Sequence, residues 1–182
     1  GWRYVDTDDE IVTAAGKSIE AIFRDDSEIK FRELEHDCLD RVCRGGRQVV
    51  STGGGTVTQE RNRMLMERSG ITVCLEARPD VIYKRLQKQR HEGRKQTVRP
   101  MLDYPDPLGR IVTLKTERQV NYSLADWTVH TDRITIVETA NEVVRAWEML
   151  TGRLDVDSDG RFDDQIITVR TSSGGYPVWV GW

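Results

Sequence analysis

The chain has 182 residues, of which 37% are hydrophobic and 31% charged, with a formal net charge of −3. That length suits one domain with room for a fragment of a second. The near-balanced charge makes no general case for nucleic acid or an anionic membrane, and no apolar run approaches the roughly 18 residues of a membrane span. Cys38, Cys43 and Cys74 have neither CxxC nor zinc-pair spacing. They read as free thiols of a reducing, cytoplasmic compartment. No signal peptide is visible at the start. The chain opens on Gly1 without a methionine, so the expectation is a piece of a longer protein.

In chain order, Trp2 to Val5 is the first strand candidate, followed by Asp6-Thr7-Asp8 and a helical stretch from Gly16 to Phe23. Phe31 to Cys43 is the next helix, with Gly45-Gly46 as its stop. Val49 to Ser51 reads as a strand that runs into Gly53-Gly54-Gly55. Glu60 to Arg68 is helical, Ile71 to Leu75 a strand, and Pro79 to Arg90 a helix with proline at its first position. Leu108 to Leu124 (helix), Trp127 to His130 (strand) and Ala140 to Leu150 (helix) complete the alternation. Strands separated by helices predict right-handed βαβ units, hence an α/β fold with a parallel sheet and flanking helices.

The composition changes after residue 150. Residues 151–164 are rich in aspartate and read as an exposed acidic linker. Ile166 to Arg170 and Tyr176 to Trp182 have strand character on either side of Ser173-Gly174-Gly175, which predicts a β-hairpin. A lone hairpin is marginal in water, so residues 165–182 read as the start of a second, truncated domain after a first domain over 1–150.

Several residue sets are able to carry chemistry. Asp6 and Asp8 sit where a strand ends, the edge at which open α/β sheets bind ligands. If extended, they point to one side, one carboxylate suited to a hydrated Mg²⁺ and the other to a substrate hydroxyl. The alternative is a helix cap formed by Asp8 and Asp9. Arg32 and Glu35 share a helix face, where the guanidinium either grips a substrate carboxylate through two parallel bonds or makes an ordinary surface pair. Gly53-Gly54-Gly55 either lets the backbone approach a small polar ligand or forms a flexible turn. Lys84 to Arg99 holds Arg90, Arg94 and Arg99 among its basic residues and suits a lid closing over phosphates, or a solvated helix face running into a loop. Arg118 on a later helix is a further candidate for the same anionic ligand, with no signal of its own.

Two motif-like segments fail on inspection. Gly16-Lys17-Ser18 resembles the tail of a phosphate-binding loop, but the position that requires the earlier glycine is Ile11, and Ala14-Ala15 reads as helix. Asp155, Asp157, Asp159 and Gly160 mimic half a calcium loop whose twelfth position is Ile166 instead of glutamate.

Taken as a set, Tyr4-Val5-Asp6-Thr7-Asp8, Gly16-Lys17-Ser18-Ile19, Phe31-Arg32-Glu33-Leu34-Glu35 and Ser51-Thr52-Gly53-Gly54-Gly55 resemble shikimate kinase. Arg99-Pro100-Met101-Leu102, Glu117-Arg118 with Tyr122, and Ala125-Asp126 continue the match. The resemblance implies a P-loop kinase fold, similar to the nucleoside monophosphate kinases, with a five-stranded parallel sheet, a substrate subdomain and a lid. Its first strand and P-loop are expected to be missing from this chain. It implies transfer of the ATP γ-phosphoryl group to the 3-hydroxyl of shikimate, on the route to chorismate and the aromatic amino acids. By the resemblance, Asp6 supports Mg²⁺ through water and Asp8 binds the substrate hydroxyls and assists deprotonation. Arg32 and Arg118 grip the carboxylate, Gly53, Gly54 and Gly55 cradle the ring, and Arg99 comes in on the lid to meet the phosphates. Arg90 and Arg94 are both candidates for stacking on adenine.

The chain departs from the family pattern at Val12, Met101 and Val120, none of which removes a charge carrier named above. Ile166-Ile167-Thr168-Val169 with Tyr176-Pro177-Val178-Trp179-Val180-Gly181 resembles the opening hairpin of 3-dehydroquinate synthase. That implies a bifunctional parent whose NAD and divalent-metal residues lie beyond Trp182. The competing readings are another P-loop small-molecule kinase, for gluconate or a nucleoside monophosphate, and a non-catalytic kinase-derived binding domain. The first shares the fold but not the set of Arg32, Gly53-Gly54-Gly55 and Arg118. A fragment lacking the central strand and the P-loop is expected to be unstable and inactive by itself.

Overall fold

The computed structural model describes residues 1–91, 105–152, 167–171 and 174–178. Strand β1 (Arg3–Asp6) leads into helices α1 (Thr7–Ala15), α2 (Ile19–Asp25) and α3 (Glu28–Cys43), and the chain returns as β2 (Gln48–Ser51). A 3₁₀ turn (Thr56–Thr58) and α4 (Glu60–Ser69) follow. Next come β3 (Val73–Glu76), α5 (Pro79–His91), α6 (Pro107–Tyr122), β4 (Trp127–His130) and α7 (Ile136–Leu150). β1 pairs in parallel with β2, from Arg3 opposite Gln48 to Asp6 opposite Ser51. β3 pairs in parallel with β4, from Val73 opposite Trp127 to Glu76 opposite His130. The expected parallel sheet is therefore present as two parallel pairs among the described residues. Val49 on β2 and Leu75 on β3 remain 48% and 57% exposed.

The principal core forms where α1, α2 and α3 meet β1. Val5, Ile11, Ile22, Phe31, Cys38 and Val42 are buried together, with Val50 and Phe23 packed against them. On α3 the buried positions are Phe31, Glu35, Cys38, Leu39 and Val42, the stripe that a 3.6-residue period presents to one side. Each large apolar side chain buried here contributes about 1.5–3 kcal/mol.

The helix boundaries correct the expected ones at several places. The helix predicted from Gly16 to Phe23 is α2, which starts three residues later at Ile19, and a separate helix, α1, precedes it with Gly16 between the two. Gly16 takes the left-handed conformation (φ 67°) that ends α1, and its N–H reaches Val12 O at 3.0 Å. Ser18 caps α2 by accepting from the Ala21 N–H, and Lys17 pairs with Asp26. Each residue of the phosphate-loop look-alike thus has an ordinary local partner. α3 ends at Cys43, just ahead of Gly45-Gly46, with the Gly45 N–H reaching Val42 O at 2.9 Å, and Arg47 takes positive φ beyond it. α7 starts four residues before Ala140 because Thr135 and Glu138 form a reciprocal capping box.

The predicted hairpin exists as antiparallel strands β5 (Ile167–Thr171) and β6 (Gly174–Val178). Gly174 and Gly175, expected in the turn, instead pair with Thr171 and Arg170. Residues 151–164 read as linker lie outside the described residues from 153 onward. The three cysteines are free thiols, and burial is the main cause that pushes the Cys38 and Cys74 thiols up.

A polar cluster joins β3 to α6. Burial tends to raise the Glu76 carboxyl, but Lys115 Nζ at 2.6 Å, with Gln119 and His130, outweighs it and holds the group below its ordinary 4.5. A carboxyl lowered on folding adds stability above its unfolded value, and that stability is lost as pH falls through the folded value. Glu76→Gln is therefore expected to lower the melting midpoint at pH 7. Below pH 4.5 the difference from the native chain shrinks, which thermal melts across pH check.

Candidate active site

The candidate residues meet around the turn that follows β2. Asp6 ends β1 and caps α1, its Oδ1 accepting from the Asp8 N–H at 2.9 Å and its Oδ2 from the Tyr4 hydroxyl at 3.2 Å. Asp8 lies in the first turn of α1, so the expectation that Asp6 and Asp8 share one side of an extended chain is corrected. The cap expected at Asp8 or Asp9 belongs to Asp6 instead. The α1 N-terminus still brings the Asp8 carboxylate to the glycine turn. A Cβ placed on Gly53 would stand 3.6 Å from Asp8 Oδ1 and 3.6 Å from Glu35 Oε1.

The next two glycines face cationic groups. A Cβ on Gly54 would stand 3.9 Å from Arg118 Nη1 and 3.1 Å from the Tyr122 hydroxyl. A Cβ on Gly55 would fall 2.7 Å from Arg32 Nη1, so any larger residue displaces that guanidinium. Asp8, Arg118 and Arg32 thus stand in sequence along three consecutive glycines, a carboxylate at one end and two guanidiniums at the other.

Arg32 is fixed from its own helix. Its Nη1 donates to Glu35 at 3.1 Å and its Nη2 to Glu28 at 3.1 Å. Glu35 is 2% exposed and also accepts from the Thr56 hydroxyl at 2.7 Å. A guanidinium has five N–H groups, so these two pairs leave donors for a ligand. Arg118 has no partner among the described residues. Tyr122, one turn further along α6, donates to Gly54 O at 2.9 Å and ties α6 to the turn.

Arg90 falls in the last turn of α5, and Arg94 and Arg99 lie outside the described residues. The sequence reading missed Glu28, Thr56, His36 and Asn62. Asn62 is fully buried, donates to Thr56 O at 3.1 Å and faces His36 Nδ1 at 2.7 Å.

Parallel strand pairs joined through helices, with the charged cluster at the carboxyl ends of β1 and β2, define an α/β domain of the P-loop kinase class. A solved shikimate kinase from Acinetobacter baumannii, in complex with shikimate, superposes with a TM-score of 0.73 at 27% identity. It covers 85% of this chain and 82% of its own. A second, from Bacteroides thetaiotaomicron, gives 0.69 at 28% identity, with 82% and 84% covered. The family model for shikimate kinase matches residues 1–148. The shikimate kinase of Caldanaerobacter subterraneus subsp. tengcongensis is 36% identical over 152 residues, 84% of this chain and 85% of that one. That of Deinococcus radiodurans is 39% identical over 146 residues, 80% and 70% respectively. The chain belongs to the shikimate kinase family.

Proposed function

We propose that residues 1–150 form the acceptor-binding part of an ATP-dependent shikimate 3-kinase. The observation that carries this reading is the order of Asp8, Arg118 and Arg32 along Gly53, Gly54 and Gly55. Shikimate offers one carboxylate and three hydroxyls. Two guanidiniums suit the carboxylate, and the glycine turn lets the ring approach the backbone. Asp8 then takes the hydroxyl side, where it orients the 3-hydroxyl and accepts its proton as phosphate arrives.

Asp6 fits a magnesium ion held through water, since Mg²⁺ favours one or two carboxylates together with phosphate oxygens. When bound, that ion neutralises charge on the transferring phosphate. Arg99 with Arg90 or Arg94 is read as the lid's contribution to ATP binding. The 182 residues contain no G-x-x-x-x-G-K-[ST], so they are read as recognising shikimate without transferring phosphate. The antiparallel hairpin after the family match supports the further reading of a 3-dehydroquinate synthase-like domain joined covalently through residues 151–164. A cytoplasmic setting goes with that reading.

Competition calorimetry tests the acceptor. Shikimate is expected to bind one to one, and gluconate and nucleoside monophosphates not to displace it. Displacement by gluconate or a nucleotide at similar concentration would replace shikimate as the substrate. Gly55→Ala sharpens the test. Its methyl group pushes aside the flexible end of Arg32, so binding is expected to fall about tenfold, the equivalent of about one hydrogen bond to a charged group, with little change in melting midpoint.

A further inference from the structure

Three consecutive residues of α4 reach backbone carbonyls on both walls of the site. Arg61 Nη2 donates to Arg32 O at 3.3 Å, on α3. Asn62 Nδ2 donates to Thr56 O at 3.1 Å. Arg63 Nη1 donates to Val57 O at 2.7 Å and Thr58 O at 3.2 Å. The 3₁₀ turn they hold is the direct continuation of the glycines, since the Thr56 N–H reaches Gly53 O and the Thr58 N–H reaches Gly55 O, each at 3.0 Å.

Asn62 is the fully buried member of the three, so its amide orientation follows from its partners. The Nδ2 faces a carbonyl and must donate, which leaves Oδ1 to accept from His36 Nδ1 at 2.7 Å. His36 sits one helical turn after Arg32 and beside Glu35. A closed circuit results: Arg32 to Glu35, Glu35 to the Thr56 hydroxyl, the Thr56 carbonyl to Asn62, and Asn62 to His36 on the helix that bears Arg32.

We propose that Asn62, oriented by His36, is a positioning residue that sets the distance between Arg32 and the glycine turn and thereby shapes the carboxylate pocket. The consequence for ligand affinity rests on the shikimate reading above. The consequence for the turn does not. A fully buried amide between two walls loses much if its donor is reversed, because a carbonyl is then left facing an acceptor.

The test uses Asn62→Asp, which keeps shape but turns the donor into an acceptor. His36→Leu removes the histidine donor, and His36→Gln restores one. Ala146→Gly in the buried face of α7 serves as a destabilised control remote from the turn. Hydrogen exchange at the Thr56 and Thr58 amides is read alongside shikimate affinity. Asn62→Asp and His36→Leu are expected to speed exchange at those amides and weaken shikimate binding, each by about tenfold, with α7 amides unaffected. His36→Gln is expected to stay near the native values, and Ala146→Gly to lower the melting midpoint without changing affinity. Native exchange at Thr56 and Thr58 in both variants would overturn the proposal, as would equal loss in the α7 control. If the native chain binds no shikimate, the functional reading falls, and the exchange data still decide the positioning role. If Asn62→Asp does not fold, the two His36 variants decide it.

Discussion

Arg32→Lys is expected to weaken shikimate binding by roughly 10- to 100-fold while the chain stays folded. Lysine keeps the positive charge beside Glu35 and Glu28 but offers a compact ammonium in place of a planar fork. A carboxylate held by parallel N–H bonds loses that match, and charge-assisted hydrogen bonds are each worth about 1.5–3 kcal/mol. Arg32→Ala is a harsher test and mixes two effects. It removes the grip and also strands the Glu35 carboxylate, which is 2% exposed and keeps the Thr56 hydroxyl as its described partner. Breaking one side of a buried pair typically costs about 3–5 kcal/mol, so this variant is expected to lose both affinity and stability. Calorimetry paired with thermal melts separates the two. An Arg32→Lys chain that binds shikimate as tightly as the native one would remove the guanidinium from the account.

The second large effect concerns the sheet. β2 and β3 each have one strand neighbour among the described residues, and each carries an apolar side chain about half exposed, Val49 and Leu75. Parallel strands are ordinarily buried on both faces and paired on both sides. A segment bearing an apolar strand followed by G-x-x-x-x-G-K-[ST], joined ahead of Gly1, is expected to raise the melting midpoint by about 10–20 °C. That corresponds to roughly 5 kcal/mol of added burial and pairing in a chain of this size. The same joined protein is expected to transfer phosphate from ATP to shikimate, whereas the 182 residues without it do not. The measurement is a melt together with a coupled ADP-release assay. Turnover by the 182 residues without added sequence would contradict this, and so would a joined protein that melts no higher.

Much of the architecture was legible because strands bounded by glycine, proline and charged residues leave few alternatives. Trp127 to His130 is one such run, found where expected. The boundaries that moved did so through side-chain capping. Asp6 closes over α1 from a strand-like position, and Ser18 caps α2 so that it starts at Ile19 and not at Gly16. The Thr135 to Glu138 box was readable as a capping pattern, and it shifted α7 by four residues.

Within the site, Asp8, Arg32, Arg118 and the three glycines lie close together. Residues that act through backbone carbonyls left no trace in the sequence. Asn62 and Arg63 bind oxygens that every residue carries. No periodicity or spacing rule marks such contacts before the chain is folded.

Recognition of shikimate turns on a carboxylate held between Arg32 and Arg118. The most direct measurement is a calorimetric titration of the chain with shikimate and, separately, with its methyl ester, which keeps ring and hydroxyls but removes the charge. The expected result is one-to-one binding of shikimate and an ester at least about 30-fold weaker, the loss of a charged pair to two guanidiniums. Equal binding of acid and ester, or no binding of either, would contradict it.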